Sequence, residues 1–275
     1  MKRPAAFYWS MRRELWENRF IYVVPLIVAA VVLLGFTAHL FGKPAGTSMR
    51  AIAMPYSLAA SVILFSCWII AFMYASDALT GERRDRSILF WKSMPVSDFT
   101  TVASKVTIAL VALPLIGCAV AFATQLLMFA TLSVVTRQGG DFWAPLGILL
   151  DMAPIMFYGM AIHALWFAPI VGYLLLVSAW ARRAALLWAV VPPFAIFAFE
   201  YFALGTSSFA VALRYRFVGA MVEGFTRDAL KTHITQVSQL DPVRFFTSRN
   251  LWLGLAFAAA CIALAILVRR RREPN

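Results

Sequence analysis

The densest chemistry in this 275-residue chain is a run of five ionised side chains at consecutive positions, Glu82, Arg83, Arg84, Asp85 and Arg86. Mixed signs at that spacing suit ion pairing with a surface of complementary charge, not acid–base or nucleophilic catalysis. Four apolar residues, Ile88, Leu89, Phe90 and Trp91, follow almost directly, then Lys92 and the helix-stopping Pro95. A docking knob for a soluble partner needs this mixture, because ions set register while aromatic side chains supply buried area. A short helix resting on a lipid surface is the other reading of the segment.

Catalytic motifs are absent elsewhere. The sequence has no HExxH, GxSxG or GxxxxGK[ST] run, and Gly42-Lys43 is followed by Pro44. Cys67, Cys118 and Cys261 all fall within apolar stretches without CxxC or Cys/His spacing, so no metal or redox site is expected. Three isolated polar residues stand out inside apolar runs. Gln125 and His163 read either as lining of a translocation path or as helix-to-helix hydrogen-bonding groups. Glu200 reads either as a path residue or as a carboxylate at the outer membrane boundary.

The elements that must position these residues follow from composition. With 62% hydrophobic and only 14% charged residues, too few polar side chains remain to cover a water-soluble surface. The fold class is therefore an all-α integral membrane protein. The formal net charge is +12, but the basic residues form short clusters between apolar runs. Such clusters act as topology signals, and no continuous basic face exists to follow a nucleic-acid backbone.

Six runs reach the roughly 20 apolar residues needed to cross a bilayer. They cover about 20–41, 54–75, 105–134, 152–180, 184–204 and 251–268. Pro154 and Pro169 are expected to kink the fourth span rather than break it. The first run is not read as a cleaved signal, because about twenty charged and aromatic residues precede it. Lys and Arg divide sixteen to nine between the two sides, placing both termini in the cytoplasm.

Three further segments do not span. Residues 1–20 carry Phe7, Met11 and Leu15 at four-residue steps, with Trp16 and Phe20 continuing the stripe among basic residues. That spacing predicts an amphipathic helix in the cytoplasmic interface, a solvated basic tail being the alternative. Residues 77–104 form a cytoplasmic loop, Gly81 permitting a turn and Ser97 or Asp98 capping the third span. Residues 205–250 form an extracytoplasmic segment with one or two amphipathic helices, and Asp241-Pro242 starts a turn there.

The run Gly81-Glu-Arg-Arg-Asp-Arg-Ser-Ile-Leu-Phe-Trp-Lys-Ser-Met-Pro95-Val-Ser-Asp98, lying between the second and third spans, resembles the same stretch of ABC-2-type transporter permeases. Asp241-Pro-Val-Arg-Phe-Phe-Thr-Ser-Arg-Asn-Leu-Trp252, on the approach to the last span, is similar to that family as well. The resemblance implies an N-terminal elbow helix, six spans forming one permease domain over 1–275, and a coupling helix in the second cytoplasmic segment. It implies a separate ABC ATP-binding subunit carrying ATP and magnesium, with no cofactor on this chain and no catalysis by it. A second permease subunit would complete an export path across a bacterial cytoplasmic membrane. Glu82, Arg83, Arg84, Asp85, Arg86 and Lys92 would then pair with the ATPase, and Phe90 and Trp91 would anchor it. A secondary transporter or a membrane assembly factor is the alternative function.

Overall fold

A computed structural model describes residues 3–42, 49–84, 97–136, 143–181, 183–227, 234 and 236–271. Among the described residues there is no β-strand, only an isolated bridge between Phe225 and Leu240. Helix α1 covers Arg3–Glu17, α2 Phe20–Gly42 and α3 Met49–Arg84. Helix α4, Asp98–Thr107, passes through a π-helical turn at Ile108–Ala112 into α5, Leu113–Thr136. Then come α6 (Trp143–Trp180), α7 (Ala185–Phe199), α8 (Ser208–Gly224), α9 (Pro242–Thr247) and α10 (Arg249–Arg271).

Six stretches are long and apolar enough to cross a bilayer: Phe20–Leu40, Met54–Glu82, Asp98–Val134, Leu149–Trp180, Ala185–Leu204 and Arg249–Arg271. Every span expected from hydropathy is a helix. Both prolines of the fourth span lie inside the unbroken α6. The π-turn falls just ahead of Pro114, whose missing N–H removes one rung of the ladder.

The helices overrun their expected ends. Residues 77–104 were expected as a loop, yet α3 continues through Gly81 to Arg84 and α4 begins at Asp98. Ser97 caps α4, its Oγ accepting from the Thr100 N–H at 3.1 Å. The expected boundaries rested on where charge interrupts apolar sequence, and here the helices run on past the exposed Asp77 and the buried Lys105. Asp85, Arg86, Phe90, Trp91 and Lys92 lie outside the described residues, as do the side chains of Arg83 and Arg84.

Helix α6 is the hub, packing most extensively against α10 and α3. Trp68 and Phe72 of α3 meet Phe167 of α6 edge-on, with centroids 4.9 and 5.6 Å apart. Small residues set the closest approaches. A Cβ on Gly172 of α6 would sit 3.1 Å from the Ala258 carbonyl oxygen of α10. In hydrocarbon there is no hydrophobic drive between helices, so such close packing carries the association. Leu26, Ile27, Val31 and Leu34 of α2, and Leu186, Val190, Phe194 and Phe199 of α7, are exposed and suited to acyl chains.

Gly172→Ala should lower the thermal unfolding midpoint in detergent, with a cost of about 1–3 kcal/mol, because the obstructing atoms are backbone. Gly35→Ala has nothing within 4 Å of its added Cβ and should be neutral or stabilising. Equal midpoints for the two variants would contradict this packing.

Candidate functional site

One end of the bundle gathers the C-terminal ends of α3, α6 and α10, the start of α4 and the last turn of α1. Glu14 arrives there because α1 places it on the face of Phe7 and Met11, seven and three residues further along the helix. Its exposure is 2%, the same as that of Lys105 on α4. Glu14 Oε1 accepts from Lys105 Nζ at 2.8 Å and from Arg13 Nη2 at 2.9 Å. The other oxygen accepts from the Tyr74 hydroxyl of α3 at 2.7 Å.

Glu82, near the end of α3, binds the same two cations. Its Oε1 lies 3.0 Å from both Lys105 Nζ and Arg13 Nη2. Its Oε2 accepts from Arg269 Nη1 of α10 at 2.7 Å, and Arg269 Nε reaches Asp98 Oδ1 of α4 at 2.9 Å. Two acids thus share two bases, and a third acid–base pair extends the chain across the bundle. The ion pairs join four helices, α1, α3, α4 and α10. Burial opposes the charge on Arg13, but Glu14, Glu17 and Glu82 together outweigh it and hold its pKa above the ordinary arginine value.

Helix α6 joins by a neutral contact. Ser178 Oγ accepts from the backbone N–H groups of Leu79 and Thr80 at 2.9 and 3.0 Å, and Thr80 Oγ1 donates to the Ser178 carbonyl at 2.9 Å.

Of the residues singled out in the sequence, only Glu82 belongs to this cluster. Its expected outward role meets a different geometry, because α3 turns its carboxylate inward to Arg13, Lys105 and Arg269. Glu14, Lys105 and Arg269 were not singled out, and Asp98 only as a candidate cap of the third span. The signal for them was periodicity: Asp98, Val102, Lys105 and Ala109 share one face of α4 and its continuation, three of the four buried.

Gln125, His163 and Glu200 have no hydrogen-bonding partner in common. Gln125 Nε2 donates to the Tyr56 carbonyl of α3 at 3.1 Å, the helix-to-helix role. His163 Nδ1 lies 2.6 Å from the Gly159 carbonyl of its own helix, and its ring packs edge-on to Phe167. Glu200 accepts from the N–H groups of Ser208 and Phe209, both at 2.7 Å, and from Thr206 Oγ1 at 2.9 Å. It caps the start of α8.

Helix α8, one of the amphipathic helices expected within 205–250, packs against α6. Gly219 abuts the Trp166 ring, and Gly224 receives the Tyr158 hydroxyl on its carbonyl at 2.9 Å. Arg216 lies over the Trp166 ring, 4.8 Å from its centroid, and donates to the Asn250 carbonyl at 3.1 Å. Asp241 caps α9 instead of opening a free turn, accepting from the Arg244 N–H at 3.0 Å.

No family model matches the chain, and no curated protein matches its sequence. Its function therefore rests on the chemistry of the chain itself.

Glu82→Gln strips the shared acid from the buried Lys105 and Arg269 and the half-buried Arg13, and should cost about 3–5 kcal/mol of stability. Asp98→Asn acts at the more exposed rim and should cost about 1 kcal/mol or less. Unfolding midpoints of the two variants in one detergent check the order.

Proposed function

We propose that the chain is the membrane-spanning permease subunit of an ABC-2-type transporter in a bacterial cytoplasmic membrane. In this reading it exports a substrate and is energised by a separate ATP-binding subunit docked on the segment between α3 and α4. The observation that carries the proposal is the fastening of both helix ends that flank residues 85–96. Glu82 at the end of α3 and Asp98 at the start of α4 both bind Arg269, while Lys105 of α4 binds Glu82 and Glu14. A displacement of the intervening segment would drag α1 and α10 with it.

Such a lever is what a partner needs, because ATP can shift a permease only if the partner binds its two states with different affinity. Arg83, Arg84, Asp85, Arg86 and Lys92 are assigned to ion pairs with the ATPase, and Phe90 and Trp91 to its apolar cleft. Glu82 is assigned to transmission, its oxygens being engaged within the chain. The charged end of the bundle is cytoplasmic by the excess of Lys and Arg there. Helix α1 suits an interfacial elbow: Arg12 stacks on Trp9 and Trp16, centroid distances 5.2 and 4.9 Å, and both rings are exposed. A second permease subunit completes the path, and hydrolysis of magnesium-bound ATP belongs to the partner, so this chain is not itself an enzyme. The secondary-transport alternative has less support, since Glu200 is spent on a helix cap and His163 on its own backbone.

Two variants test the proposal with the ATP-binding subunit that it requires. Arg83→Glu with Arg84→Glu should abolish co-purification while leaving the chain in the membrane; an intact complex contradicts the docking role. Arg269→Gln should leave the complex assembled and lower permease-stimulated ATP turnover about tenfold. Unchanged turnover in that complex contradicts transmission through the ion pairs.

A further inference from the structure

Helix α1 presents two faces of different chemistry. The inner one carries Glu14 into the ion-pair cluster. On the opposite side Tyr8, Trp9, Arg12 and Trp16 form one stripe at three- and four-residue steps, and all four are exposed. The Trp9 and Trp16 rings are 53% and 68% exposed, far more than packing aromatics would be. The Arg12 guanidinium contacts both, 5.2 Å from the Trp9 centroid and 4.9 Å from that of Trp16. Ring contact of this kind occupies π-faces and takes none of the five N–H donors of an arginine.

Those donors have no protein acceptor. Arg12 makes no ion pair and no hydrogen bond among the described residues, its contacts being the two indoles. Its neighbour Arg13 points the other way, to Glu14, Glu17 and Glu82. Both acids of α1 are thereby held by Arg13, and the outer stripe carries positive charge with no carboxylate to balance it.

The depth of the stripe follows from the chain. Only Asn18 and Arg19 separate α1 from α2, whose membrane-crossing stretch begins at Phe20. The last turn of α1 therefore sits within about one helical turn of the hydrocarbon edge, at the level where indoles and lipid phosphates meet. Arg19, also exposed, adds a second cation at that break.

We propose that the outer stripe of α1 is a binding site for the phosphate of an anionic membrane lipid. The Arg12 guanidinium donates to the phosphate oxygens, while Trp9 and Trp16 lie against the glycerol region. A planar guanidinium matches phosphate in a bidentate fork, and an anionic head leaves a charge for Arg12 to balance. A zwitterionic head carries its own ammonium beside its phosphate and gains less. The site rests on α1 lying at the membrane boundary and is independent of the ATPase reading.

The test uses the full chain in phosphatidylcholine nanodiscs doped with a lipid whose acyl chain carries a diazirine, under either a phosphatidylglycerol or a phosphatidylcholine head. Cross-linked peptides are mapped by mass spectrometry. The phosphatidylglycerol probe should label peptides spanning Tyr8 to Phe20 about tenfold more than its phosphatidylcholine counterpart. Both should label the uncharged stretch Val190 to Phe199 of α7 equally. Arg12→Gln should lower phosphatidylglycerol labelling of α1 about tenfold, and Trp16→Leu, which keeps an apolar side chain, about threefold. Label on α7 should not change in either variant, which shows the chain still folded in the disc. Equal labelling of α1 by the two probes, or wild-type labelling in either variant, would overturn the anion site alone. No label on α1 from either probe would overturn its interfacial placement as well.

Discussion

Taking an ammonium out of water costs several kcal/mol unless its partners travel with it. Lys105 meets that condition by standing between Glu14 and Glu82, at 2.8 and 3.0 Å, with Arg13 balancing the second negative charge. Each of these charges is tolerable only while helices α1, α3 and α4 hold their ends together. The constraint is therefore mutual: the helices bury the ions, and the ions fix where the helices end. Arg269 extends the same requirement to α10.

The two ends of the bundle are secured by different physics. At the charged end, ion pairs link elements far apart in sequence, and such pairs can exchange partners with little change in buried apolar area. Away from it, α8 has one ion pair, Glu223 with Arg244 of α9 at 3.1 Å, and is otherwise held by steric fit and neutral contacts: Gly219 against Trp166, the Gly224 carbonyl on Tyr158, and Glu200 capping its first turn. Close-packed contacts of that kind have few alternative arrangements. Rearrangement is thus easier at the end that adjoins residues 85–96, and this asymmetry suits a molecule driven from one side.

Much of the architecture was legible in the sequence because hydrocarbon imposes a length rule. Phe20–Gly42 and Ala185–Leu204 emerge almost at their expected bounds, the first having no charge inside it and the second only Glu200, near its far end. The second and third spans were cut short for the opposite reason. Asp77 and Lys105 ended the apolar windows, and a charge in a sequence window does not reveal that Glu82 lies 23 residues and Glu14 91 residues from the Lys105 they bind. Residues such as Glu14 were hidden by the same limit, since a lone acid on a basic amphipathic helix reads as ordinary. Periodicity held the missing information, for Glu14 and Lys105 each occupy an apolar face. Gln125 and Glu200 illustrate the remainder: their positions were plain, whereas the Tyr56 carbonyl and the start of α8 that engage them are products of tertiary packing.

The most direct measurement of the central claim is a double-mutant cycle over Glu14→Gln and Lys105→Met, read from unfolding free energies in a single detergent. If the ion pair welds α1 to α4, the two losses overlap and the coupling energy is about 2 kcal/mol or more. Additivity to within about 0.5 kcal/mol would mean that the two side chains act independently, and the account of a charge-fastened bundle end would be wrong.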